Sequence, residues 1–260
     1  MSVRTKLFAI LWLAGMAGVL SILLIDLSAV LASLPATTAS EIPFHPLLVK
    51  LLGLVQPTVL LSVAILIGVQ LAPAVGLSAP AAEALAGGQR FGSALKRQTI
   101  PGVIAGFIAG IILLSSWVLL RPSLPPLFVT RAEKLNGSLP LLMRLLYGGI
   151  TEELLLRWGL LTLIVWAAWR FFQKRRGKPK SIYFLSAILI SSVVFGIAHL
   201  PLVVALGVDF TLPIVAFVVF GNSLFGLFAG YLFWKKGLEA AIIAHMSTHV
   251  VILTAIHLTT

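Results

Sequence analysis

The chain has 260 residues, of which 59% are hydrophobic and only 10% are charged, and its mean hydropathy is +1.08. Soluble domains carry about 25% charged residues, so this composition excludes a water-soluble fold. The net charge of +11 does not indicate nucleic-acid binding, because the basic residues lie between apolar stretches, where they act as topogenic signals and contact anionic lipid.

The apolar stretches predict an all-α protein, a polytopic transmembrane helical bundle of about seven to eight helices with a polar intramembrane cavity. We expect a single integral membrane domain over residues 1–260. The absence of cysteine excludes disulfides and thiolate chemistry. About 20 apolar residues span a bilayer, and the candidate spans lie at roughly 7–33, 47–75, 99–121, 140–168, 182–206, 211–233 and 238–258.

Basic residues predict the orientation of these spans. The segments before the first span and after the second, fourth and sixth hold 13 of the 19 basic residues. The positive-inside rule then places the N-terminus in the cytoplasm and the C-terminus outside. We expect a multi-pass protein of a prokaryotic inner membrane. The loop 121–138 conflicts with this orientation, because it is predicted outside and yet contains Arg121, Arg131 and Lys134.

Glycines recur at four-residue intervals in the third and sixth spans. Gly102, Gly106 and Gly110 form one stripe, and Gly226 and Gly230 form another. Such stripes let helix backbones approach closely, so we interpret them as packing surfaces and not as ligand sites.

Two adjacent carboxylates lie inside the fourth span. A carboxylate at membrane depth costs a few kcal/mol and marks a functional site by default. Glu153 and Arg157 are four residues apart, so they share a helix face and can neutralise each other. Glu152 lies about 100° away around the helix, has no such local partner, and must find one on another helix. An unpartnered buried carboxyl suits a general base or acid.

Histidines provide the candidate partners. Phe195 and His199 share one face of the fifth span, and His245 and His249 share one face of the seventh. The spacing of the last two suits either paired hydrogen-bond donors or two metal ligands. Counting about 1.5 Å per residue from the predicted span ends places Glu152, His199 and His245 in the middle third of the bilayer, which permits convergence.

The three motifs Glu152-Glu153-x-x-x-Arg157, Phe195-x-x-x-His199 and His245, in this order, resemble the CAAX prenyl protease and bacteriocin-processing family of intramembrane proteases. The resemblance covers residues 148–249. It implies a helical bundle with a cavity open to water and lipid, in which Glu152 activates the attacking water, His199 holds that water and His245 stabilises the oxyanion. Glu153 and Arg157 would support this site, with Phe195 as a further supporting residue.

The sequence departs from the family pattern at His249, where most members have asparagine. A neutral imidazole of the right tautomer can also donate a hydrogen bond, so the oxyanion role can survive. The change also opens a zinc-dependent alternative, in which the metal ligands would be Glu152, His199, His245 and His249.

We therefore predict an intramembrane endopeptidase that acts on a peptide or a lipidated protein in contact with the bilayer, with no nucleic-acid partner. The preferred interpretation uses no cofactor, and zinc is the alternative. A proton-coupled transporter or a non-catalytic immunity or binding protein is a further alternative, because chains of glutamate and histidine also relay protons. The confinement of the polar residues to spans four to seven favours an enzyme.

Overall fold

The computed structural model describes residues 1–26 and 46–259, and the regular structure within these ranges is entirely helical. Seven segments are long and apolar enough to cross a membrane, and they are called the first to seventh spans: Val3–Leu24, Leu47–Val75, Phe91–Ser123, Leu141–Phe171, Ser181–Ala205, Leu212–Lys236 and Leu238–Leu258. The predicted number of spans and the all-α class are confirmed. An integral, multi-pass membrane protein fits this architecture.

Several spans are assembled from more than one helix. The first and third end in single 3-10 turns, Ile22–Leu24 and Arg121–Ser123. The main helices of the first and third spans are Val3–Ser21 and Phe91–Leu120. The second span contains Pro46–Gly53 and Val55–Val75, and the fifth contains Ser181–Ala198 and Leu200–Ala205. The helix of the seventh span, Leu238–Thr259, extends one residue beyond that span. Two short helices, Pro80–Ala86 and Pro126–Ser138, lie between spans.

The largest differences from the predicted span ends are at the end of the first span and the start of the third. The first helical segment ends at Leu24 instead of 33, and the predicted remainder includes residues 27–33, which lie outside the described part of the chain. The third begins at Phe91 instead of 99, so Lys96 and Arg97 belong to the helix and not to the preceding loop. Long basic side chains near a helix end can extend to the interface, which is why charge alone does not mark the boundary.

The fourth span departs from the regular α-helix that the sequence predicted. Residues Arg144–Glu152 and Leu154–Leu161 are π-helical, and α-helical geometry is confined to Glu153 between them and to Leu141–Met143 and Thr162–Phe171 at the two ends. A π-helix bonds residue i to residue i+5, and such turns are frequent at functional sites. The two predicted carboxylates lie at the junction of the π-helical segments.

The fourth span contacts the first, second, fifth, sixth and seventh spans. Its buried Thr151 hydroxyl donates to the Gly15 carbonyl of the first span at 2.8 Å. The fully buried Trp158 indole lies directly against Gly68 of the second span, where even one added methyl group would collide with the ring. The first two spans therefore hold the span that carries both glutamates.

The glycine stripes are packing surfaces, as predicted. A methyl group added at Gly102 or Gly110 would lie 2.8 Å from side chains of the seventh span, and Gly106 lies directly against its backbone. A methyl group at Gly226 or Gly230 would lie within 3.0 Å of the fifth span. These contacts hold the third span against the seventh and the sixth span against the fifth, so each span that carries a site histidine packs against a glycine stripe.

Basic residues in loop 121–138 have structural partners. Arg121 pairs with Glu133 at 2.9 Å, and Arg131 donates to the carbonyl oxygen of Leu206 at 2.6 Å, beyond the last helical turn of the fifth span. The helix Pro126–Ser138 is thereby attached to the end of that span. These contacts account for cations in a loop that charge counting places outside.

Candidate active site

Glu153 is the centre of a buried ionic chain between the fourth and seventh spans. Its Oε2 lies 3.2 Å from Arg157 Nε, and its Oε1 lies 2.8 Å from His245 Nδ1. The Glu153 and Arg157 side chains are fully buried, and His245 is nearly so. The predicted pairing of Glu153 with Arg157 is present, and the same carboxylate also orients a histidine, which sequence reasoning missed.

The positive charge of Arg157 is stabilised by groups on the fifth and sixth spans. Its guanidinium donates to the Gly226 carbonyl at 3.2 Å. The same group lies over the rings of Phe195 and Phe225, with its central carbon 5.0 and 5.8 Å from the two centroids. Cation–π contacts are attractive within about 6 Å, so both rings stabilise the buried cation. Phe195 thus contacts both Arg157 and His199.

Glu152 is the accessible carboxylate of the pair. Its Oε2 lies 3.9 Å from His245 Nε2, and its side chain is 19% exposed, whereas the Glu153 side chain has no exposure. The expectation that Glu152 finds its partner on another helix is met by His245. The separation exceeds a direct hydrogen bond, which needs about 2.7–3.2 Å between heavy atoms.

The His245 ring is held from three directions. Glu153 binds Nδ1, the Phe225 ring packs against the imidazole with centroids 4.2 Å apart, and the His249 ring stacks on it at 4.9 Å with an interplanar angle of 16°. When Nδ1 is bound in this way, the other ring nitrogen faces Glu152. The ring is therefore held in one orientation by contacts within the protein.

His199 ends the helical segment Ser181–Ala198. Its Nδ1–H donates to the Phe195 carbonyl oxygen at 2.8 Å, so in the neutral ring Nε2 is an acceptor. Its ring meets the Phe195 ring edge-on at 4.7 Å. The same Phe195 ring lies 6.0 Å, centroid to centroid, from the His245 ring, so Phe195 stands beside both histidines.

His249 lies against the backbone of the fourth span. A methyl group added at Gly148 would be 2.7 Å from His249 Nε2, so only glycine leaves room for the ring in this position. The imidazole is half-buried and parallel to that of His245. Gly148 therefore adjoins the site, although glycine has no functional group that could mark it as a site residue in the sequence.

The structure thus gathers the seven predicted residues from three spans around one region. Phe225 and Gly226 of the sixth span complete it. Gly226 was predicted only as a packing residue, and Phe225 carries no sequence signal that separates it from the other 14 phenylalanines.

Within the described residues, no group of three or more histidine, aspartate or glutamate side chains is arranged so that it could hold a metal ion. The geometry of the histidines explains this result. The rings of His245 and His249 are nearly parallel and present their faces to each other, so lone pairs in the two ring planes do not converge on one point. As they are placed, the four residues of the zinc alternative do not form a ligand set.

One known protein family matches the part of the chain that contains this site. Residues 134–251, slightly less than half of the chain, match the family model described as type II CAAX prenyl endopeptidase Rce1-like. The match confirms the resemblance found in the three motifs and supports a membrane protease. No curated protein matches the chain. No solved structure matches it either.

Proposed function

We propose that the chain is an intramembrane endopeptidase that hydrolyses a peptide bond with water activated by Glu152. The observation that carries the proposal is the placement of His245. Glu153 binds its Nδ1 at 2.8 Å, while its Nε2 lies 3.9 Å from the accessible Glu152 carboxylate. A water molecule about 2.8 Å from both atoms would subtend an angle of about 90°, so one water can contact both groups.

Glu152 would act as the general base. It removes a proton from water as the oxygen attacks the scissile carbonyl carbon, and a tetrahedral oxyanion forms. The protonated Glu152 then gives this proton to the leaving amine nitrogen as the carbon–nitrogen bond breaks. Each turnover consumes one water, and the base is regenerated.

His199 would hold the attacking water. Its Nδ1 proton is directed to the Phe195 carbonyl, so its Nε2 lone pair is available to accept a hydrogen bond. An acceptor of this kind would orient the second hydrogen of the water while Glu152 takes the first. This assignment keeps the role that the family resemblance implies.

His245 and His249 would stabilise the oxyanion. His245 would donate through an N–H at Nε2, while Glu153 holds its Nδ1. His249 would add a second donor from the same helix face. Preorganised donors in a site that excludes water commonly contribute a factor of about 100 to 1,000 to the rate.

The substrate is proposed as a peptide or a lipidated protein presented from the bilayer, and the family description makes a prenylated CAAX sequence the first candidate. The proposed scheme needs no metal. The same residues acting with zinc, a proton-coupled transporter, and a non-catalytic immunity or binding protein are the competing functions that the experiments must separate.

The first experiment compares wild type with Glu152→Gln on two probes, a farnesylated CAAX peptide and its unprenylated counterpart, by mass spectrometry of the products in detergent. We expect cleavage by wild type and none by Glu152→Gln, with unchanged thermal unfolding. Glu133→Gln is the matched control, because Glu133 is exposed and pairs with Arg121 at the surface. Full activity of Glu152→Gln would eliminate the assignment of the base.

A second experiment separates the metal-free and zinc schemes. Purified protein is analysed for bound metal, and cleavage is measured with and without a chelator and in His249→Asn. The metal-free scheme expects full activity in chelator and substantial activity in His249→Asn. Loss of both activity and bound zinc would favour the metal scheme.

A further inference from the structure

Asn222 is a neutral polar residue in the middle of the sixth span, outside the sequence motifs. One helical turn further along, Phe225 packs on the His245 ring at 4.2 Å, and the Gly226 carbonyl accepts a hydrogen bond from Arg157 at 3.2 Å. Residues three and four apart lie on the same helix face. Asn222 therefore continues the face that contacts the proposed catalytic groups.

The opposite flank of Asn222 is defined by the fifth span. A methyl group added at Gly196 would collide with the Val219 carbonyl and lie 2.6 Å from Ser223 Oγ, so these two residues face the fifth span. At about 100° per residue, Asn222 lies about 60° from Phe225 on one side and about 60° from Val219 on the other. It is directed toward the gap between the fifth and seventh spans.

The level of Asn222 along the bundle follows from the antiparallel packing. Phe225 is level with His245, because their rings are in contact. The two spans are antiparallel, so Asn222, one turn before Phe225, is level with His249, one turn after His245. Gly196 is level with Ser223 in the same way, and His199 follows Gly196 by three residues. Asn222 therefore faces the region between His199 and His249.

The carboxamide of Asn222 retains hydrogen-bonding capacity. Its Nδ2 donates to the Val218 carbonyl of its own helix at 2.8 Å, and the residue is half-buried. Its Oδ1 has no hydrogen-bond partner in the described ranges 1–26 and 46–259. A carboxamide has a second N–H and two acceptor lone pairs, which match the C=O and N–H of an extended peptide main chain.

We propose that Asn222 is a substrate-binding residue that holds the main chain of the peptide beside the scissile bond. The inference rests on the proposed function and deepens it, because a main-chain contact of this kind selects an extended segment and not a helical one. The helical segment of a substrate has its main-chain groups already bonded internally.

The test uses Asn222→Leu, which has nearly the same shape and no polar atoms, with Asn222→Ala as a second variant should the first fail to fold. Ser223→Ala is the matched control, because the Ser223 hydroxyl is buried, faces the fifth span, and has no hydrogen-bond partner in the described residues. Hydrolysis of the farnesylated CAAX peptide gives KM and kcat. Binding of the same peptide is measured in the Glu152→Gln background.

We expect an increase of about tenfold in KM and in the dissociation constant for the Asn222 variants, from the loss of one or two hydrogen bonds, with kcat within about twofold. Ser223→Ala should leave both constants unchanged. An unchanged KM in the Asn222 variants, or a lowered Tm without a change in KM, would overturn the inference and leave only the bond to Val218. Absence of cleavage by wild type would instead remove the proposed function itself.

Discussion

Replacement of Glu153 by glutamine removes the negative charge that holds two other buried groups. Glu153 lies 3.2 Å from Arg157 and 2.8 Å from His245, and neither Glu153 nor Arg157 has any exposed surface. In the variant, Arg157 keeps its contacts with the Gly226 carbonyl and two aromatic faces but loses its adjacent counter-charge. Removal of one member of a buried ion pair costs about 3–5 kcal/mol, and arginine cannot relieve this cost by losing its proton.

The converse variant, Arg157→Met, should cost less. The carboxyl group that it leaves behind can take up a proton, and it keeps its hydrogen bond to His245. The double variant Glu153→Gln/Arg157→Met contains neither buried charge, so its destabilisation should be smaller than the sum of the two single effects. This inequality is the specific signature of a buried pair.

Thermal unfolding in detergent measures these effects. A change of 1 kcal/mol shifts Tm by about 2–4 °C in a chain of this size, so Glu153→Gln should lower Tm by roughly 6–20 °C. Glu133→Gln breaks an exposed pair, whose side chains are 45–51% exposed, and should have a small effect. Additive effects in the double variant, or an equal loss in Glu133→Gln, would refute the reasoning.

Two further predictions concern the surroundings of the seventh span. Gly148→Ala places a methyl group 2.7 Å from His249 Nε2, so the ring must move; we expect hydrolysis to fall about tenfold, one hydrogen-bond equivalent of transition-state stabilisation, with no further loss when His249→Ala is added. If His249→Ala lowered hydrolysis as much in the Gly148→Ala background as it does in the wild type, the two residues would have independent roles. Gln98→Leu removes the acceptor for the Ala240 N–H, at 3.0 Å in a buried position, and should destabilise the fold by about 1–3 kcal/mol. An unchanged Tm would contradict a stabilising role for this hydrogen bond.

The spans were predictable because their signal is contained in each segment by itself. A run of about 20 apolar residues is long enough to cross a bilayer whatever its neighbours are. The contact between Glu153 and Arg157 was predictable for the same reason, since residues four apart on a helix meet. Gly102 and Gly226 were correctly assigned to packing because close helix approach needs small residues at regular spacing.

The contact between Glu153 and His245 was not predictable, because it joins residues 92 positions apart and depends on how the fourth and seventh spans are rotated. The helix pattern shows that His245 and His249 share a face, but not which ring meets a carboxylate. The π-helical geometry of the fourth span was missed for a related reason. An i→i+5 helix leaves no distinctive residue pattern, and the Glu153–Arg157 pair forms in it all the same.

The distribution of charge in the site indicates why two adjacent carboxylates can have different roles. With both ionised, the cluster holds two negative charges and one permanent positive charge, which Arg157 contributes. Arg157 lies directly against Glu153, so its compensation goes first to the carboxylate that is fully buried and already hydrogen-bonded to His245. The uncompensated charge then lies on Glu152, the carboxylate that remains accessible. Because charge is poorly screened at this depth, proton transfer from water to Glu152 relieves repulsion between the neighbouring carboxylates, and this relief favours the step that the proposed mechanism requires.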